Sequence, residues 1–119
     1  RVDRDAEGGA MRLYIAGPMT GREDFNYPAF YAAERDLTRA GFDVLNPAFD
    51  EKVPGSRPWE WYMRRALSMV LDSDGMALLD GWEMSRGATF EHLTARTLDM
   101  PCRPLQVWLD DPWGEGGDR

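Results

Sequence analysis

The sequence predicts an α/β domain: a parallel sheet with helices on its faces. Three observations carry this. Short apolar runs alternate with segments of helical periodicity between residues 11 and 109, in the order β-α-β-α-β-α-β. The run 75–79 (GMALL) is almost continuously apolar, as a strand buried on both faces must be. No internal repeat or long low-complexity linker divides the middle of the chain.

Each element has its own signal. Residues 11–16 (MRLYIA), closed by Gly17-Pro18, read as the first strand. Residues 27–40 carry Phe30, Ala33, Leu37 and Ala40 at helical spacing, and Gly41 supplies the stop. Residues 42–45 form a second strand ending at Asn46-Pro47, and 52–58 (KVPGSRP) form a loop. Residues 59–71 make the second helix, with Tyr62, Ala66, Met69 and Val70 on one side. The third strand covers 75–79, the third helix 85–98, and a last strand lies in 103–108, beginning near Pro104. Residues 1–10, before the first Met, lack periodicity and read as a tail or cloning remnant. The acidic, Gly-rich stretch 110–119 reads as a flexible tail. One domain therefore spans 11–109.

Composition narrows the function. A chain of 119 residues supports one core, burying roughly two-thirds of its unfolded surface. Its net charge of -7, from 14 Lys+Arg against 21 Asp+Glu, disfavours nucleic-acid polymers as partners. A small phosphorylated ligand needs only a few local donors. No run approaches ~18 apolar residues, so neither a transmembrane helix nor a membrane partner is expected. The N-terminus lacks an apolar signal core, and the lone Cys102 can form neither an internal disulfide nor a zinc cluster. Nothing has metal-site spacing. Neither a metal nor a cofactor is expected, and the cytoplasm is the expected compartment.

In a parallel sheet the ligand sits at the C-terminal strand ends, near the switch in strand order. The informative segments are therefore 17–26, 46–58 and 80–86. The first begins Gly17-Pro18-Met19-Thr20-Gly21-Arg22, neither a Walker loop nor a dinucleotide fingerprint. Its glycines let the backbone approach an anion, and equally serve a tight turn. Ser85 is placed to N-cap the third helix, and a cap serine at a site's mouth can also donate to a phosphate or sugar. Ala88, Glu91, Ala95 and Leu98 share one helix face, where a carboxylate is costly unless partnered or functional. A boundary position or a structural ion pair is the alternative for Glu91. Tyr14, inside a strand, reads first as a core residue, His92 as a boundary residue, and Asp72 and Asp74 as caps or turns. Trp59, Trp61 and Trp82 fall near the ligand loops and suit base stacking or core and dimer contacts alike.

Together, Tyr14-Ile15-Ala16-Gly17-Pro18-Met19-Thr20-Gly21, Asn26-Tyr27-Pro28, Asn46-Pro47, Leu79-Asp80-Gly81-Trp82, Ser85-Arg86-Gly87-Ala88 and Glu91 resemble the nucleoside 2-deoxyribosyltransferase-like superfamily. The closest branch is its small uncharacterised group, similar to the 2'-deoxynucleoside 5'-phosphate N-hydrolases. The resemblance covers Met11 to about Leu105. It implies a flavodoxin- or Rossmann-like three-layer sandwich with a parallel sheet of four or five strands, and a homodimer whose partner completes the site. It implies Glu91 as the nucleophile at the anomeric carbon and Tyr14 as its orienter. Thr20, Gly21, Arg22 and Ser85 fall where the hydrolase branch holds a 5'-phosphate. Gly17, Met19, Asn46, Trp82 and Gly87 complete the implied ligand-binding set.

One position departs from the pattern. The family's helix before the third strand usually bears an aspartate that assists the departing base, and the matching residue here is Ala66. Asp80, at the end of the third strand, is the candidate substitute. The expected activity is that of a nucleotide N-glycosidase or a nucleoside 2-deoxyribosyltransferase-like enzyme, cleaving the N-glycosidic bond of a (deoxy)nucleoside 5'-monophosphate through Glu91, with water or a second base as acceptor. The competing expectation, motivated by Ala66, is a module that binds a nucleotide or ADP-ribose-like ligand without cleaving it. A structural partner using Trp61, Trp82 and Trp108 as anchors is a third.

Overall fold

A computed structural model of the chain describes residues 10–49 and 55–112. Within them lie β1 (Arg12–Ala16), α1 (Tyr27–Arg39), β2 (Asp43–Leu45), α2 (Trp59–Leu71), β3 (Gly75–Leu78), α3 (Arg86–Thr97), β4 (Cys102–Pro104) and α4 (Leu105–Asp110). The strands form one sheet in the order β2-β1-β3-β4, every neighbour parallel. This is the expected α/β sandwich of the Rossmann/flavodoxin-like kind, with four strands. The expected tails at 1–10 and 110–119, Trp113 and part of the 52–58 loop fall largely outside the described residues. No described helix is long and apolar enough to cross a membrane.

Strand alternation divides the core in two. Leu13 and Ile15 of β1, with Ala77 of β3, face α1, where Phe30, Ala33 and Leu37 are buried. Tyr14 and Ala16, with Met76 and Leu78, face the opposite layer, where α2 contributes Ala66 and Val70 and α3 contributes Ala88 and Ala95. Tyr14 therefore points into the α2–α3 layer. Met63 is the third buried residue of α2, while Tyr62 and Met69 are only half-buried.

Two helices end as their sequences require. Past Ala40, the N–H of Gly41 (φ +101°) donates to Thr38 and that of Phe42 to Leu37, a Schellman closure. Past α3, Asp99 (φ +60°) takes the glycine's place, with Asp99 N–H donating to Arg96 and Met100 N–H to Ala95. That closure corrects one expectation. Leu98 is the C-cap and is 52% exposed, so the buried face of α3 ends at Ala95. Asp74 closes the sheet's other end, accepting a 2.8 Å bond from the Arg12 N–H, while Asp72 pairs with the Arg12 guanidinium at 2.7 Å.

The last element is a second correction. The expected strand at 103–108 is a three-residue strand followed by α4. Pro104 has no N–H to continue the ladder, and the chain turns there into a helix. Leu105, Trp108 and Leu109 then face the core at helical spacing. The Trp108 indole N–H donates to the Met76 carbonyl at 2.9 Å, and its ring meets Phe42 edge-on at 5.6 Å.

Candidate functional site

A cavity of about 400 Å³ opens at the C-terminal ends of the strands. Gly17, Met19 and Thr20 from the loop after β1 form one wall, and Pro47 after β2 borders another. Ser85, Gly87 and Glu91 approach from α3, and Trp59, Tyr62, Arg65 and Ala66 from α2. Tyr14 completes the lining from β1.

Glu91 is buried, 7% exposed, because the α3 face that carries Ala88 and Ala95 packs on the sheet. Burial pushes its carboxyl up to about 8, and the phenol of Tyr14 opposes that shift. Tyr14 is fully buried, and its own ionisation is pushed well above the usual value, first by burial and then by Glu91. The Tyr14 hydroxyl approaches the Glu91 carboxyl without reaching the geometry of a full hydrogen bond. A buried hydroxyl whose hydrogen bond is incomplete costs up to about 1–3 kcal/mol, and such a group calls for a structural or chemical reason.

The start of α3 presents hydrogen-bond donors to the cavity. The Ser85 Oγ accepts the Ala88 N–H at 3.1 Å, which makes it the N-cap. Its own O–H remains a donor. Gly87, in the first turn, carries a backbone N–H that the helix itself does not use. An added Cβ at Gly87 would lie 3.2 Å from the Met63 sulfur, so glycine also lets α2 and α3 approach. At Gly17 an added Cβ would lie 2.8 Å from the Leu79 Cβ, and the bare backbone is a packing requirement there as well.

Other expected residues stand elsewhere. Arg22 reaches towards Gly81, and Gly21 (φ +81°) shapes the turn, neither on this lining. Asn46 pins the loop after β2, donating to Glu34 Oε1 at 2.9 Å and accepting the Ala48 N–H at 2.9 Å. Trp82 packs on His92 with ring centroids 4.3 Å apart, and burial lowers the His92 imidazole. Asp80 is exposed and off the lining, in no position on this wall to replace an acid at Ala66. Trp59 lines the cavity with the Arg86 guanidinium 3.8 Å above its ring, whereas Trp61 does not.

The structure adds residues that sequence reasoning passed over. Phe25 and Tyr27 line the cavity from a turn in which Asp24, Phe25 and Asn26 all sit at positive φ, held by an Asn26 side-chain bond to the Pro18 carbonyl. Arg57 and Arg65 line it as well. Arg65 donates to the Pro47 carbonyl at 2.8 Å and lies 3.9 Å over the Phe49 ring. The signal for Arg65 was present: Tyr62, Arg65 and Ala66 fall at i, i+3 and i+4 of α2.

The model of a family described as a domain of unknown function, DUF4406, matches residues 11–103. That range ends just before α4 and includes every residue of the lining. No curated protein gives a significant match to the chain.

Proposed function

This chain belongs to the DUF4406 family, and we propose that it binds a nucleoside 5'-monophosphate in the Glu91 cavity and cleaves its N-glycosidic bond. One observation carries the reading: a fully buried Tyr14 hydroxyl shares the cavity wall with a buried Glu91 carboxyl and acts on its ionisation. Breaking the bond to the base leaves positive charge on the sugar. A carboxylate there stabilises that charge and can capture the anomeric carbon, as in retaining glycosidases. Tyr14, whose phenol opposes the upward shift of the carboxyl, supplies the hydrogen bond that holds it ionised and oriented. The phosphate lies at the start of α3, on the Ser85 hydroxyl and the Gly87 N–H, with Thr20 across from them. Water resolves the glycosyl intermediate. The reading includes a cytoplasmic homodimer, for which the exposed Phe90 and Leu93 of α3 offer apolar surface.

A second reading is a nucleotide-binding module without turnover. Ala66 favours it, because no acid on α2 faces the base. So does a Glu91 carboxyl pushed to about 8, largely protonated at neutral pH.

Chromatography for free base decides between them, using all ribo- and deoxyribonucleoside 5'-monophosphates beside a Glu91→Gln control. Release that disappears in the control is the expected result. No release from any nucleotide removes the enzyme, and calorimetry with the same panel then tests the binding module, which absence of heat would sink.

A further inference from the structure

We propose that Arg65 makes the cavity selective for oxo-bases, those presenting a carbonyl oxygen where amino-bases present an NH₂, and that the base departs as an anion rather than after protonation. This rests on the cavity being the N-glycosidic site proposed above.

The first argument is the donor inventory of the wall. A guanidinium has five N–H donors and no acceptor. Arg65 spends one N–H on the Pro47 carbonyl and lies against the Phe49 ring, so its plane is held from two sides while further donors remain. Arg57 adds a second donor-only group to the same lining, stacked 4.3 Å from the Trp61 ring centroid. Among the described lining residues there is no Asp, Asn, Gln or His, and Glu91 is the sole carboxyl. A carbonyl oxygen meets matching donors on this wall. An exocyclic amino group brings more donors to it.

The second argument is chemical. Adjacent Ala66 offers no proton, and exposed Asp80 is off the lining. Among the described lining residues, no acid besides Glu91 is at hand for a base that must be protonated to leave. An oxo-base needs none. When the bond from C1' to the ring nitrogen breaks, its electron pair passes to that nitrogen and spreads onto the carbonyl oxygen, where a fixed cation stabilises it. A Glu91 carboxylate oxygen forms the new bond to C1'. Water then displaces Glu91, leaving its hydroxyl on C1' and its proton on the base. The Arg65 charge also acts on the Tyr14 phenol, opposing its burial, so the cation lies within electrostatic reach of the reacting pair.

Two matched pairs test this: uridine against cytidine 5'-monophosphate, and inosine against adenosine 5'-monophosphate. Each is measured by calorimetry and by base release, with the parent, Arg65→Gln and Arg65→Lys, all checked by thermal melts. The oxo member of each pair is expected to be preferred by at least ~10-fold. Arg65→Gln should bring the pairs to within about 3-fold, and Arg65→Lys should retain part of the preference. Equal or better binding of the amino members overturns the proposal, as does an oxo preference that survives Arg65→Gln. Oxo-selective binding without base release upholds the Arg65 selectivity and removes both the glycosidase and the anionic departure. Base release favouring amino members leaves the glycosidase standing and removes this proposal. No binding of any nucleotide removes both.

Discussion

The Tyr14 hydroxyl faces the Glu91 carboxyl from the next layer of the sandwich, and both are buried. Neither position is an accident of packing. Tyr14 is directed there by strand alternation, and Glu91 by the buried face of α3. A core selected for stability alone would hold Phe and an apolar residue at these two places.

That contrast makes Tyr14→Phe informative. The substitution deletes a buried hydroxyl whose polar partner is the Glu91 carboxyl, so stability should change by no more than about 1 kcal/mol. Turnover should fall about 10- to 100-fold, because the oriented carboxylate loses its donor. Denaturant melts and steady-state kinetics on the same preparation check both. A stability loss equal to that of an ordinary core truncation would mean that the hydroxyl is structural.

The raised Glu91 carboxyl sets the direction of the pH profile. A nucleophile must be ionised, so kcat/KM should climb about tenfold per pH unit and level off above about 8, the value for the free chain. If Glu91 instead donated a proton, the profile would fall through the same region. Measuring kcat/KM from pH 5.5 to 9.5 separates the roles by sign.

The same shift enters folding. A carboxyl with an ordinary value of 4.5 unfolded and about 8 folded binds more protons in the folded state between those limits. Its contribution is whole below 4.5 and is lost as pH rises to about 8. Relative to Glu91→Gln, the parent should therefore lose about 1.4 kcal/mol per pH unit over that window. Urea melts of both chains at pH 5, 6, 7 and 8 give the difference directly. Parallel stability curves would show that Glu91 keeps an ordinary carboxyl in the fold.

How much of this was legible differs residue by residue. The alternation of apolar runs and helical segments placed six of the eight strands and helices to within about a residue. The apolar stripe isolated Glu91. The end of the chain misled because Leu105, Val107 and Leu109 alternate like a strand, while Leu105, Trp108 and Leu109 recur like a helix; Pro104, which ends the ladder, decides for the helix. Asn46 could not be read from its motif, since its partner Glu34 is twelve residues away and only the fold brings the two together. Arg65 was passed over for a different reason, although its spacing with Tyr62 and Ala66 was legible. A charged residue on a half-exposed helix reads as solvated, and a long stem lets the guanidinium reach a wall that its Cα does not face.

Ser85 separates cap from ligand contact in a single position. Ser85→Ala removes the acceptor for the Ala88 N–H and should cost about 1 kcal/mol of stability. Ser85→Asp keeps that acceptor and adds negative charge at the start of α3, so stability should change by less than about 0.5 kcal/mol. The same aspartate would repel a phosphate held by Ser85 and the Gly87 N–H. Nucleoside 5'-monophosphate affinity should fall at least ~10-fold while affinity for the unphosphorylated nucleoside holds. Calorimetry with one base in both forms reads the split. Equal losses for both forms would mean that the variant disturbs the cavity as a whole. An unchanged monophosphate affinity would move the phosphate away from α3 and leave Ser85 as a cap alone.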